Sequence, residues 1–441
     1  MVSAFSQVFR SPELRKKLLF TVGILVLFRL GSSIPAPGVN MAAIKECAAI
    51  VEDGESSNIY AMINLFSGGS LLNLTIFALG IMPYITSSII LQLLTVVIPR
   101  LESLKKEGSS GQQQITKYTR WLTIVLAVLQ STSFTMLAVS GNMFQGCNVP
   151  VVYNDGLFTI IVMILTMMAG TSVIMWLGEL ITDRGIGNGM SILIFTQIVA
   201  VFPTSMWSIK ANQPGSRGWF MFAIVLAVGF LVMAGVIFVE RAQRRIPVQY
   251  AKRMVGQRLL GGTTTYIPIK VNQSGVIPII FASSILYLPY LYALFRPNDS
   301  AAQWIRDNLA AGNGAAPAVY NVAFSALIIF FCFFYVAITF NPVEISDNMK
   351  KYGGFIPGIR AGKPTEDYLG YVLSRLTAPG SLYLAVIALI PTLAVTFASL
   401  GSSSKFPFGG TSLLIIVGVG LDTVRQIESQ LHQRNYEGFL K

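Results

Sequence analysis

The 441-residue sequence predicts an all-α polytopic membrane protein, and three observations lead there. Hydrophobic residues make up 53% of the chain and charged residues only 12%, a composition that a water-soluble fold cannot keep in solution. Ten apolar runs approach the length, about 20 residues, that a helix needs to cross a bilayer. A further short apolar stretch, starting near Ile59, is interrupted by Ser67, Gly68, Gly69 and Ser70. A helix that short cannot span alone, so it ends part-way or folds back. Such segments occur where they are buried in protein or line a solvent-filled path.

The ten runs are Leu18 to Pro35, Thr75 to Ile98, Trp121 to Ser140, Phe158 to Ile181, Met190 to Ser208, Trp219 to Val239, Gly275 to Phe295, Val322 to Phe340, Leu382 to Leu400 and Thr411 to Val424. Lipid offers the backbone no hydrogen-bond partners, so each is expected to be a helix. Lys16 and Lys17 precede the first run as in a signal peptide. That run leads to Ile34-Pro35-Ala36-Pro37, not to a small-residue cleavage site, so it is expected to stay as an anchor.

The net charge of +12 orients the bundle, because Lys and Arg beside spans are retained on the cytoplasmic side. With the N-terminus inside, the outer segments keep only Lys45, Lys210, Arg217, Arg296, Arg306 and Lys405. The remaining basic residues, apart from Arg29 within the first span, fall inside, and an even number of spans returns the C-terminus to the cytoplasm. Cys47 and Cys147 fall in outer loops and Cys332 in a span. Whether Cys47 and Cys147 pair stays open, since connectivity is not readable from spacing.

Two cytoplasmic excursions are longer than span connection requires. The first, at about 240–272, holds ERAQRRIPVQYAKR followed by Gly256, Gly261, Gly262 and the β-favouring Thr263, Thr264, Thr265, Tyr266, which predicts a protruding hairpin. The second, at 341–377, surrounds Arg360 with turn-forming Gly353, Gly354, Pro357 and Gly358. Single basic residues here need only enforce topology or touch anionic lipid. Whole loops of this length project charge well beyond the headgroups, toward ribosomal RNA or a large acidic partner.

Nucleotide and metal chemistry find no foothold. There is no GxxxxGK[ST] loop, and GIGNG at Gly185 to Gly189 follows no strand, so it reads as a turn beside a span. His432 is the sole histidine. The chain is expected to be no enzyme and to need no cofactor.

The strings FSGGSL, FALGIMPYITSSIILQLL, GIGNGMSILIF, ERAQRRIPVQYAKR, KVNQSGVIP, FFCFFYVAITFNPVE, FIPGIRAG and FGGTSLLI closely resemble the SecY family of bacterial translocon channel subunits. They run in order from the first span to the tenth. The resemblance implies ten transmembrane helices in two pseudo-symmetric five-helix halves, 1–208 and 209–441, with a re-entrant plug helix at about 59–72. It implies a pore ring of Ile81, Ile85, Met190, Ile194, Ile280 and Ile415, and a plug containing Asn64, Phe66, Ser67, Gly68, Gly69 and Leu71. A lateral gate to lipid would carry Thr86, Ser87, Ser88 and Gln92 on one side and Asn272, Gln273, Ser283 and Ser284 on the other.

Implied partners are SecE and SecG in a heterotrimer, the SecA motor ATPase, the ribosome, and accessory SecD/SecF and YidC. Signal sequences and unfolded preproteins are the implied substrate, and the bacterial plasma membrane, with its lipid, the setting. Arg244, Arg245, Arg253 and Arg360 are the implied contacts for ribosome and SecA. Met190 stands where the family commonly has isoleucine, and Ala361 where a proline often follows the loop arginine.

The residues support a waist independently. Ile81, Ile85, Ser88 and Gln92 fall at steps of four, three and four, hence on one helix face, and Met190 and Ile194 are four apart. A ring of apolar side chains yields to a passing chain yet disfavours a continuous water column when empty. Isoleucines at helical spacing also mean plain packing, and the plug glycines an ordinary re-entrant hairpin. A secondary transporter is the rival class, but it needs ionisable groups near mid-membrane, whereas Arg29 and Glu179 fall near span ends. A scaffold subunit that conducts nothing would have neither plug nor waist.

Overall fold

The computed structural model describes residues 11–52, 67–141, 147, 149–153, 155–211, 216–250, 253–255, 258–260, 264–295, 299–309, 318–397 and 410–437. Asn64 and Phe66 of the expected plug lie outside these. In chain order the helices are α1 (Pro12–Gly31), α2 (Met41–Glu52), α3 (Met82–Val97), α4 (Pro99–Lys106), α5 (Ser109–Val139), α6 (Leu157–Arg184), α7 (Gly189–Ala211) and α8 (Ser216–Arg241). Strands β1 (Gln243–Tyr250), β2 (Arg253–Val255), β3 (Arg258–Leu260) and β4 (Thr264–Lys270) follow. Then come α9 (Ile277–Phe295), α10 (Ser300–Asn308), α11 (Ala318–Thr339), α12 (Pro342–Lys351), β5 (Gly354–Phe355), α13 (Lys363–Phe397) and α14 (Gly410–Glu437).

By length and apolarity alone, five of the described helices qualify as membrane spans, or six if the bent pair α3 and α4 counts as one. The 100° bend of that pair has a local cause. Pro99 disfavours helical backbone at the residue before it, and Ile98 is extended at φ −100°, ψ 111°. Charges at Glu13, Arg15, Lys16, Lys17 and Arg29 keep α1 out of the count. Large apolar side chains face outward, as lipid requires: on α8, Phe230, Leu231 and Phe238 are 73%, 74% and 78% exposed.

Several boundaries differ from the apolar runs. The helix of the second apolar run, α3, starts at Met82 rather than Thr75, because Gly80 has a positive φ and Pro83 fits only a helix's first turn. The expected ninth span begins as helix at Lys363, nineteen residues before Leu382, inside what reads as a loop. At 1.5 Å per residue this 35-residue helix is about 52 Å long, well beyond a hydrocarbon core of about 30 Å. Apolarity marks where lipid ends; the backbone ladder continues through polar residues that still favour helix. The same holds for Ser109–Arg120 in α5.

The chain folds as two compact units, one of Met1–Leu226, Leu286–Tyr320 and Pro391–Lys441, the other of Ala227–Ile285 and Asn321–Ile390. In the first unit, one apolar core joins Ile44, Cys47, Leu71, Leu74, Phe134, Val151, Val152, Met163 and Met167. It is laced by short backbone pairings. Ala36 N donates to Leu74 O and Ile76 N to Ile34 O, at 2.9 and 3.0 Å, while Asn40 N donates to Val151 O and Tyr153 N to Gly38 O, at 2.8 and 3.0 Å. Cys47 and Cys147 form a disulfide across this core, Cα to Cα 5.4 Å, which answers the pairing left open by the sequence.

The second unit contains the predicted hairpin and corrects the all-α expectation by a small sheet. β1 pairs antiparallel with β4, from Gln243↔Lys270 to Gln249↔Thr264, and β5 adds to the other edge through Gln249↔Phe355 and Tyr250↔Gly354. Both long polar excursions therefore share one sheet, in the order β4-β1-β5. Alternation explains its footing: Ile246, Val248 and Ile269 are buried with Val336, Met349, Ile356, Leu369 and Leu373, while Arg245, Pro247 and Gln249 on the opposite face of β1 are exposed.

Candidate functional site

Four of the six expected ring residues meet. Ile81, at the N-cap of α3, and Ile85 one turn later pack with Met190 and Ile194 of α7 in a single apolar cluster. Ile24 and Phe28 of α1, Phe77, Ile174, Leu177 and Ile181 of α6, and Ile192 and Leu193 of α7 are its other buried members. Met190 lies against Gly178 of α6, where a Cβ would sit 2.5 Å from its sulfur, so the flexible thioether fills a groove that a branched side chain fits less readily. Ile415 is buried on α14, and Val419, one turn on, reaches the cluster. Ile280 is half-buried on α9, in the other unit.

The described end of the expected plug, from Ser67, continues as turns to Ile81. Gly68, Gly69 and Gly80 have φ of 64°, 87° and 55°, a region that a side chain would strain. Ser70 O accepts from Thr75 N and Thr75 Oγ1 at 3.1 and 3.2 Å, and Asn73 Nδ2 donates to Gly69 O at 2.9 Å, so the turns satisfy one another.

Neighbouring helices hold the segment closely. Arg29 of α1 donates from Nη1 to Gly68 O at 3.0 Å, and Phe77 stacks on Phe28 with centroids 5.8 Å apart. A Cβ on Gly170 of α6 would collide with the Ile76 carbonyl, and one on Gly80 would lie 2.6 Å from Gln197 Nε2. Gly170 and Gln197 escape a sequence reading that follows apolar faces. The available signal for Gln197 is a lone amide inside an apolar run, three residues after Ile194.

Both charges noted within the spans are engaged structurally. Glu179 accepts from Arg120 Nε at 2.8 Å, joining α5 to α6, and Arg29 binds the Gly68 carbonyl. Among the described residues no three His, Cys, Asp or Glu side chains gather as a metal site.

The expected gate residues mostly turn inward on their own elements. Thr86 and Ser87 donate to Met82 O and Pro83 O at 2.9 and 2.7 Å, and Ser283 and Ser284 both donate to Ile280 O, at 2.9 and 2.8 Å. Gln92 Nε2 reaches Ser88 Oγ at 3.5 Å, and Gln273 Oε1 accepts from Lys270 N. Asn272 is buried and donates to Glu240 Oε1 at 2.6 Å, and its Oδ1 accepts from Ser274 Oγ at 3.1 Å. Any bond that the hydroxyls of Thr86, Ser87, Ser283 and Ser284 make to another helix must therefore use the oxygen as acceptor.

The basic face lies on the sheet module. Arg244 and Arg245 are both exposed at the start of β1, Arg245 on the face opposite the buried Ile246 and Val248, and Arg360 is exposed, its backbone carbonyl accepting from Thr365 Oγ1 at 2.8 Å. Lys350 and Lys351 at the end of α12 are exposed in the same unit. Arg253 opens β2.

The sequence model of the SecY family, described as SecY, matches residues 75–424. The protein translocase subunit SecY of Streptomyces scabiei is 62% identical over 444 residues, covering 100% of both chains. The subunit of the same name from Mycobacterium bovis is 54% identical over 445 residues, again covering 100% of both. Among solved structures, a protein-conducting channel aligns with a TM-score of 0.60 at 18% identity, over 94% of this chain and 91% of that one. A SecY structure concerned with the plug domain aligns at 0.58 and 19%, with the same coverage. These two identities speak for the fold alone, and the curated relatives carry the rest: the chain belongs to the SecY family.

Proposed function

We propose that this SecY-family chain, a protein-conducting channel and not an enzyme, passes unfolded preproteins across the bacterial plasma membrane through a waist of Ile81, Ile85, Met190, Ile194, Ile280 and Ile415. The observation that carries the reading is the packing of Ile81, Ile85, Met190 and Ile194 into one apolar cluster directly beyond the turns of Ser67 to Gly80. An apolar waist offers a translocating chain no strong hydrogen bond and no fixed charge, so it neither traps a polypeptide nor conducts ions when empty.

In this reading ten spans form two halves, 1–208 and 209–441, and residues 59–72 are the plug. Apolar signal helices leave sideways between the helices bearing Thr86, Ser87, Ser88 and Gln92 and those bearing Asn272, Gln273, Ser283 and Ser284. Hydrogen bonds between membrane helices average only about 0.6 kcal/mol, weak enough for such a seam to open and reclose. Both termini are cytoplasmic. The bias of basic residues supports that orientation, as does the disulfide, since cystines persist on the oxidising side of a membrane.

The channel works with other translocon components and the ribosome. SecE and SecG complete a heterotrimer, with SecD/SecF and YidC as accessories, and the energy comes from SecA or from translation. Arg244, Arg245, Arg253 and Arg360 form the docking face. Reconstitution with SecE and SecA, scored by protection of a secretory precursor from protease, tests the function as a whole.

Two substitutions test its parts. Ile85→Asn and Ile415→Asn each place an unpaired amide in the seal, a loss of roughly 1–3 kcal/mol. Export of precursors with defective signals is expected to rise about tenfold, the equivalent of 1.4 kcal/mol. Unchanged ion leak and signal stringency in both variants removes the waist. Arg360→Glu is expected to lower SecA-driven export about tenfold or more while the protein inserts normally, because reversing a contact charge typically loses 2 kcal/mol or more. Normal export by that variant removes the Arg360 assignment.

A further inference from the structure

Gln197 is 2% exposed, and neither Oε1 nor Nε2 finds a hydrogen-bond partner among the described residues. It follows Met190 and Ile194 at steps of four and three, so it stands on their face of α7, one turn from the waist cluster. Two glycines with positive φ flank it. A Cβ on Gly68 would lie 3.3 Å from the Gln197 Cα, Cβ and Cγ, and one on Gly80 would lie 2.6 Å from Nε2. These glycines begin and end the turns that link the plug's end to α3.

A buried amide with no partner is unfavourable anywhere, and more so in a membrane helix where water is scarce. Simple packing would be served by leucine or methionine at this position. Backbone groups of the two flanking glycines already have other partners, since Gly68 O accepts from Arg29 Nη1 and Gly80 N donates to Phe77 O. If the turns move off α7, Gln197 gains access to water or to newly released backbone groups. The seated arrangement thus carries a penalty that the displaced one sheds.

We propose that Gln197 is a positioning residue that loads the plug's return segment toward release, setting how readily the channel opens. The inference rests on the plug reading above. Arg29, whose Nη1 donates to Gly68 O at 3.0 Å, is the counterweight that keeps the segment seated.

The test is Gln197→Met, which keeps the unbranched length and removes the polar atoms, with Gln197→Leu as a second variant should the first insert poorly. In the full channel reconstituted with its partners, export of signal-defective precursors and resting ion leak are expected to fall about tenfold, a hydrogen bond's worth. Export of a precursor with an intact signal stays within about twofold, and the thermal midpoint rises. Arg29→Gln shifts leak the opposite way. Unchanged or increased leak and signal-defective export in both stably inserted Gln197 variants overturns the proposal. A chain lacking residues 59–66 separates the two readings: if it leaks no more than the parent, the plug reading falls. If it leaks while Gln197→Met matches the parent, only this inference falls.

Discussion

Gly170→Ala is expected to destabilise the protein by about 1–3 kcal/mol, the range for overpacking a close-packed interior. The added methyl would overlap the carbonyl oxygen and carbon of Ile76. A backbone carbonyl cannot rotate aside as a side chain can, and Ile76 is fixed further by its N–H bond to Ile34 O at 3.0 Å. Either α6 retreats or the turns of Ser67 to Gly80 lift, and the second route breaks the pairings of Ala36 with Leu74 and of Ile76 with Ile34, each worth about 1 kcal/mol. A fall in the thermal midpoint, together with increased ion leak, is the expected result. Gly23→Ala and Gly235→Ala are the controls, since a Cβ at either meets nothing within 4 Å and alanine favours helix by up to about 1 kcal/mol. Equal midpoints for Gly170→Ala and these controls would show that the close approach has no energetic weight.

Removing the disulfide is expected to have a comparable or larger effect. The Cys47–Cys147 bridge closes a loop of 100 residues, for which chain entropy gives about 4.7 kcal/mol and typical losses run 2–5 kcal/mol. The loop contains the second half of α2, the plug region, α3, α4 and α5, so the bridge restricts the unfolded chain over much of this unit. Cys47 is fully buried among Ile44, Leu71 and Leu74, which adds the packing lost on truncation. A Cys47→Ala, Cys147→Ala double variant should melt earlier by this amount, and the parent should do so in reductant. Alkylation of Cys47 in unreduced, denatured protein would rule the bridge out. Cys332 supplies an internal check, being free and buried in the span α11, and labelled only after denaturation.

The basic module shows what pattern reading catches and misses. Alternation in QRRIPVQY and the threonine-rich run after Gly261 and Gly262 are local signals, and β1 and β4 form where they point. The pairing of β5 with β1, which fuses the two long polar excursions, joins residues about a hundred positions apart and leaves no mark in either loop alone. Pro99 and Gly80 sharpen two boundaries that apolarity blurs. The helical starts at Ser109 and Lys363 stay hidden because helix propensity does not stop where hydrophobicity does.

The amino-acid sequence by itself determined that this chain lives in a membrane, where its apolar helices run, which residues share a face on α3 and α7, and where the basic loops fall. These are consequences of local composition and of the 3.6-residue period. Only the tertiary structure decided that Cys47 meets Cys147, that Arg29 grips the Gly68 carbonyl, that Gly170 admits the Ile76 backbone and that Gln197 is buried without a partner. Those facts depend on which distant segments are brought within a few ångströms, and close approach is set by the packing of whole helices, for which no single residue type is a signature.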